Sequence, residues 1–203
     1  MVPDVGYLWG IFSVILGAVV GSFLNVCIYR IPSGRSIVFP ASHCPTCEHP
    51  IKVYDNIPII SYLILRGKCR NCNGRISPVY PAIELLTAVM SVLLFQRYGL
   101  SLGYLFSFLF TCALIVITFI DLKHQIIPDV ITLPGIPLFA LAAIFFMNVT
   151  FMDSLLGILA GGGFLFLVAF GYQLLTKRDG MGGGDIKLLA MLGGFLGWQS
   201  LWF

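Results

Sequence analysis

Charge is scarce in this chain. Of 203 residues, nine are acidic and twelve are Lys or Arg, so charged groups make up 10% against 58% hydrophobic residues. The mean hydropathy is +0.95. That balance excludes a soluble domain, because no packing hides so much apolar surface from water. Alternating inward and outward patterning is also missing, which excludes a β-barrel and leaves helices as the spanning element. No basic residue precedes the first apolar run, where only Met1 to Asp4 stand. That run therefore reads as a retained helix rather than a cleaved signal. No glycine-rich dinucleotide fingerprint follows a predicted strand, and no nucleic-acid partner is expected.

What is present is a series of uncharged runs. Val5 to Tyr29, Tyr98 to Ile120, Val130 to Met152 and Ser154 to Thr176 are each long enough to cross a hydrocarbon core, which takes about 20 helical residues. Val79 to Gln96, interrupted by Glu84, and Ile186 to Phe203, with Lys187 near its start, are weaker candidates. The fold class expected is an all-α polytopic membrane protein of about six transmembrane helices with a small zinc-ribbon-like domain. The division expected is 1–30 for the first helix, 31–80 for a cytoplasmic zinc-binding domain with four cysteines and 81–203 for the remaining bundle. The chain stops inside an apolar segment at Phe203, which suggests a truncated protein or the ordered part of a longer one.

Most Lys and Arg residues lie between the first and second spans, and only Arg97 falls on the opposite side. Cations in short loops set orientation, so the N-terminus is expected outside and the large loop in the cytoplasm. Within that loop stand Cys44-Pro-Thr-Cys47 and Cys69-Arg-Asn-Cys72. Each C-x-x-C turn offers two thiolates, and together they make the four soft ligands of a structural, tetrahedral Zn²⁺. A pair of disulfides is the alternative, disfavoured where thiols stay reduced. His43 and His49 flank the first knuckle as possible replacement ligands or as solvated loop residues. The stretch from Tyr54 to Lys68 reads either as an interfacial helix on the inner leaflet or as the core of the small domain. Cys27 and Cys112 read as small core residues.

Two aspartates stand out at the ends of apolar runs, where a carboxylate is costly unless it has a use. Asp121 lies in Thr118-Phe-Ile-Asp-Leu-Lys-His-Gln-Ile-Ile-Pro-Asp129, and Asp185 follows Gly182-Gly-Gly. Capping and a lysine partner, Lys187 two residues on, are the bland reading of Asp185. Three glycines exceed what a cap needs and let another backbone approach closely. Two carboxylates sharing a site divide one proton between them, the working state of an aspartic protease. Asp129, Asp153 and Asp179 read as structural acids. Gly157-x-x-x-Gly161 and Gly193-x-x-x-Gly197 read as close-packing motifs.

The ordered motifs closely resemble those of the type IV prepilin peptidases. They include Gly21 to Pro32, both knuckles, Asp55-Asn-Ile-Pro58, Leu65-Arg-Gly-Lys-Cys69, Tyr80 to Leu86, and the two aspartate segments. The resemblance implies an aspartic endopeptidase with Asp121 and Asp185 as catalytic residues and Cys44, Cys47, Cys69 and Cys72 as zinc ligands. It implies prepilin or pseudopilin substrates cut at the cytoplasmic face of a bacterial inner membrane. It further implies S-adenosylmethionine-dependent methylation of the new N-terminus, with Gly67 and Lys68 implicated. About eight spans are usual in the family, against six here. A proton-coupled transporter with boundary aspartates, and a zinc-dependent scaffold without chemistry, are the competing readings.

Overall fold

The computed structural model describes residues 4–177 and 182–202, so Arg178 and the acid Asp179 lie outside the described residues. Each expected apolar run contains a helix among the described residues. The helices are α1 (Asp4–Arg30), α2 (Ile60–Ile64), α3 (Val79–Tyr98), α4 (Leu102–His124), α5 (Asp129–Phe146), α6 (Phe151–Ile158), α7 (Phe164–Thr176) and α8 (Gly183–Leu196). A π-helical turn, Leu159–Gly163, joins α6 to α7 into one 26-residue span. Five helices among the described residues are long and apolar enough to cross a membrane. The sixth run instead yields the 14-residue α8, about 21 Å long, followed by a 3-10 turn at Trp198–Trp202.

The chain divides into two compact units, residues 1–119 and 120–203. In the first unit α1 packs along α3 through a glycine seam. A Cβ at Gly17 would lie 2.6 Å from the Ala88 Cα, and one at Gly21 would lie 2.7 Å from the Glu84 Cα. Small residues at i and i+4 let two backbones meet where lipid offers no hydrophobic drive for association. Polar groups reinforce this seam. The fully buried Ser91 donates to the Ser13 carbonyl at 2.8 Å and lies 2.7 Å from the Tyr104 hydroxyl, joining α1, α3 and α4.

In the second unit α8 is the central element, packed by α5, α6 and the π turn. Gly157 and Gly193 face each other so closely that a Cβ on either would overlap the other's carbonyl oxygen. Gly161 sits against the Leu189 carbonyl. Ser154 donates to the Gly194 carbonyl at 2.7 Å, and Met191, wholly buried, fills the notch left by Gly135 in α5. Three of the four glycines in the two expected motifs therefore serve packing. Gly197 does not: it ends α8 with φ +81°, a conformation open to glycine.

Candidate functional site

The cysteine loop is built from two copies of one turn. Glu48 N–H donates to the Cys44 carbonyl and Asn73 N–H to the Cys69 carbonyl, both at 2.9 Å. Cys44 N–H donates to the His49 carbonyl at 3.0 Å, and Cys69 N–H to the Gly74 carbonyl at 2.8 Å. The residue after each second cysteine, Glu48 or Asn73, takes a positive φ of 54° or 56°. This repeated geometry aims both thiols of each knuckle inward, and the four Sγ atoms lie within 4.8 Å of one another. A tetrahedral shell with bonds of about 2.3 Å sets sulfurs about 3.8 Å apart. Cys44 and Cys72 stand 3.9 Å apart.

The electrostatics suit a dication as well. Burial pushes the Cys44 thiol up, but the Thr46 and Cys47 backbone N–H groups and neighbouring thiols outweigh it and bring it down to about 6. The Gly74 N–H lowers Cys72, yet burial and the three facing thiols push it up to about 11. One sulfur ionises readily and another resists joining it, a repulsion that a bound metal relieves. The donor set thus fits Zn²⁺, with no coordination position left for substrate. The four cysteines are free thiols, and neither His43 nor His49 belongs to the cluster.

Around the cluster, Arg70 of the second knuckle grips Asp55 through Nε and a terminal nitrogen, at 2.7–3.0 Å, and lies over the Tyr54 ring. The Arg70 guanidinium holds the Asp55 carboxyl below its ordinary range. Gly67 takes φ +66°, and a Cβ there would lie 2.9 Å from the Tyr62 hydroxyl, so a tight turn accounts for this glycine. Lys68 pairs with Arg75 in a short antiparallel bridge next to the second knuckle. Glu84 of α3 turns toward the loop. Its carboxylate is buried and accepts the Ile59 N–H at 2.7 Å.

Asp121 and Asp185 both belong to the second unit. Asp121 lies in the last turn and a half of α4, and its carbonyl accepts the Gln125 N–H at 2.8 Å as the chain turns through a positive φ at Gln125. Asp185 is the third residue of α8, in the first turn, where the helix dipole favours a negative charge. Both residues are exposed. The connecting segment couples the two helix ends. Ile127, six residues after Asp121, presses against Gly184, where a Cβ would lie 2.7 Å from the Ile127 Cβ. Two residues further, Asp129 opens α5 and accepts the Lys187 ammonium with both oxygens at 2.7 Å.

That ion pair revises one sequence-based reading and bears out another, that of Asp129 as a structural acid. Lys187 is the partner of Asp129 rather than of Asp185, and Asp129 is a link between α5 and α8. Lys187 and Asp129 are 58 residues apart, so nothing local announces the pair. The glycines before Asp185 divide their work: Gly182 is the extended N-cap, Gly184 admits Ile127, and Gly183 faces open space. Asp153 is structural, sharing a hydrogen bond with the Thr150 cap and accepting the Trp198 indole N–H at 3.0 Å.

Comparison with known proteins matches both parts of the chain. Residues 15–98 match the family described as Bacterial Peptidase A24 N-terminal domain, and residues 108–203 match the Type IV leader peptidase family. A protein named prepilin leader peptidase/N-methyltransferase from Aeromonas hydrophila is 39% identical over 225 residues, covering 97% of this chain and 77% of that protein. Its namesake from Dichelobacter nodosus is 40% identical, with 95% and 76% covered, and that from Neisseria gonorrhoeae 42%, with 93% and 74% covered. No solved structure matches. The transporter reading finds no support among these relatives. With similarity of this extent over nearly its whole length, the chain belongs to the type IV leader peptidase family.

Proposed function

We propose that this protein removes the leader peptide from prepilins or pseudopilins and then N-methylates the new N-terminus, with Asp121 and Asp185 as the proteolytic pair. The observation that carries the catalytic assignment is the coupling of the two aspartate-bearing helix ends by Ile127 on Gly184 and by Asp129 with Lys187. In the working state the pair shares one proton, so that one carboxylate is ionised and the other protonated. The ionised carboxylate accepts a proton from water as the oxygen attacks the scissile carbonyl. The protonated one donates to the carbonyl oxygen, giving a neutral tetrahedral diol. Proton return to the amide nitrogen then releases leader and mature chain. All of these steps run on the two carboxylates and one water.

Cys44, Cys47, Cys69 and Cys72 would hold Zn²⁺, which would supply a cross-link between the two knuckles with no part in cleavage. Methylation uses S-adenosylmethionine, and the assignment of Gly67 and Lys68 to it rests on the family resemblance alone. Residues 1–30, 31–80 and 81–203 are taken as first helix, zinc-binding domain and peptidase core. The N-terminus faces outward, and the loop and aspartates face the cytoplasm of a bacterial inner membrane, as the distribution of Lys and Arg favours.

The test is leader release from a prepilin by purified, detergent-solubilised protein. Cleavage by wild type and none by Asp121→Asn or Asp185→Asn supports the reading. Undiminished cleavage by either variant removes the dyad, and no cleavage of any prepilin by folded wild type removes the peptidase.

A further inference from the structure

Outside the spans and the cysteine cluster, the loop exposes two sets of large apolar side chains. On α2, Ile60, Leu63 and Ile64 are 55%, 67% and 70% exposed, and their i, i+3, i+4 spacing sets them on one helical face. On the bend before the first knuckle, Val38 and Phe39 are 66% and 76% exposed. In water such surface is unfavourable and attracts aggregation.

Both sets are held at the level of the span ends by buried charged side chains. Glu84 stands five residues into α3, about 7.5 Å along its axis, and receives the N–H of Ile59, the residue just before α2. α2 therefore starts within a turn and a half of the end of a membrane span. Arg30, the last residue of α1, donates to the Ser36 carbonyl at 3.0 Å and the Pro40 carbonyl at 2.7 Å. The bend carrying Val38 and Phe39 is thus wrapped around the end of the other span. Ile37 and Val38 also line a groove of about 460 Å³ together with Val19, Phe23 and Val26 on α1. Exposed Arg66 and Lys68 follow α2, cations suited to anionic headgroups.

We propose that these two apolar elements are feet by which the zinc-binding domain sits in the headgroup and acyl boundary of the bilayer, with Glu84 and Arg30 as their latches. The occupant is lipid, because the bend shares a groove with α1 side chains exposed on a span and α2 is fixed at the end of another. The small domain is then held close to the membrane plane rather than tethered loosely between two spans.

The test is tryptophan quenching in the full chain with Trp9, Trp198 and Trp202 changed to Phe, reconstituted in phosphatidylcholine and phosphatidylglycerol vesicles. Leu63→Trp, Phe39→Trp and, on the first knuckle, His49→Trp serve as single reporters, each checked for zinc content. Lipids brominated near the top of the acyl chain are expected to quench Leu63→Trp and Phe39→Trp at least about twofold more than His49→Trp. Adding Glu84→Ala is expected to release the first foot, lowering quenching at position 63 but not at 39. If Leu63→Trp loses zinc, Phe39→Trp carries the test. Quenching at 63 and 39 no greater than at 49 overturns the proposal, whether the surface meets water or another protein. Unchanged quenching at 63 in Glu84→Ala overturns the latch.

Discussion

The cysteine loop and the bundle of residues 120–203 achieve order by opposite means. In the loop, short turns with positive φ at Glu48, Asn73, Arg66 and Gly67 aim a few side chains at shared points: four sulfurs at one, Asp55 and Arg70 at another. In the bundle, order comes from removing side chains, so that Gly157, Gly161 and Gly193 bring backbone against backbone around α8. A polar loop too small for a large core depends on cross-links. A bundle in lipid depends on close approach and internal hydrogen bonds. The proposed chemistry follows the division, with a metal that shapes and a carboxylate pair that reacts.

The comparison can be broken hardest at the aspartates. Asp121→Asn or Asp185→Asn preserves size but cannot act as general base or acid, so leader release is expected to fall by about 10²-fold or more. The zinc content of both variants is expected to stay at the wild-type value by elemental analysis. Chelation that leaves the protein folded is expected to do the reverse, removing zinc while sparing leader release.

Packing is the next target. Gly193→Val or Gly157→Val forces side-chain atoms into the facing backbone, and thermal unfolding in detergent is expected to show destabilisation of about 1–3 kcal/mol or more. Gly183→Ala, where the space is open, is expected to be mild by comparison. In the loop, Cys44→Ser or Cys72→Ser is expected to abolish zinc retention and increase proteolysis between residues 31 and 80, leaving the 120–203 bundle protected. Equal protease sensitivity of both regions would erase the contrast.

Two smaller effects sharpen it. Asp129 and Lys187 are partly exposed, and such pairs contribute about 0.2–1 kcal/mol, so Asp129→Asn or Lys187→Met is expected to lower leader release by no more than about fivefold. The reversed pair, Asp129→Lys with Lys187→Asp, is expected to recover part of it. Asp55 is held below its ordinary range by Arg70, so its contribution to loop stability is present above about pH 4 and is lost as pH falls through the lowered value. Proteolysis of the loop against pH is expected to show that acid sensitivity in wild type and less of it in Asp55→Asn.

Features carried by composition or spacing were legible in the sequence. Uncharged runs announce α1, α4, α5 and the α6–α7 span, and two C-x-x-C pairs with 21 residues between them announce the sulfur cluster. Features joining distant residues were not. The bland reading of Asp185 gives it Lys187 as a partner, whereas the fold turns Lys187 to Asp129. Arg30 and Glu84 bind loop backbone, a use that nothing near them in the sequence announces. Gly17-x-x-x-Gly21 carries a readable signal, the same small-residue spacing as Gly157-x-x-x-Gly161, set inside an apolar run. The length of α8 was hidden because apolarity continues past Gly197 while its backbone ends the helix.

The central claim is that Asp121 and Asp185 act as one unit, and the double variant Asp121→Asn with Asp185→Asn tests it most directly. Leader release is measured for wild type, both single variants and the double variant on the same prepilin. A double loss no larger than either single loss is the result predicted, because a pair disabled by one change has nothing further to lose. A double loss equal to the product of the single losses, about 10⁴-fold or more, would mean that the two carboxylates act independently and would contradict the dyad.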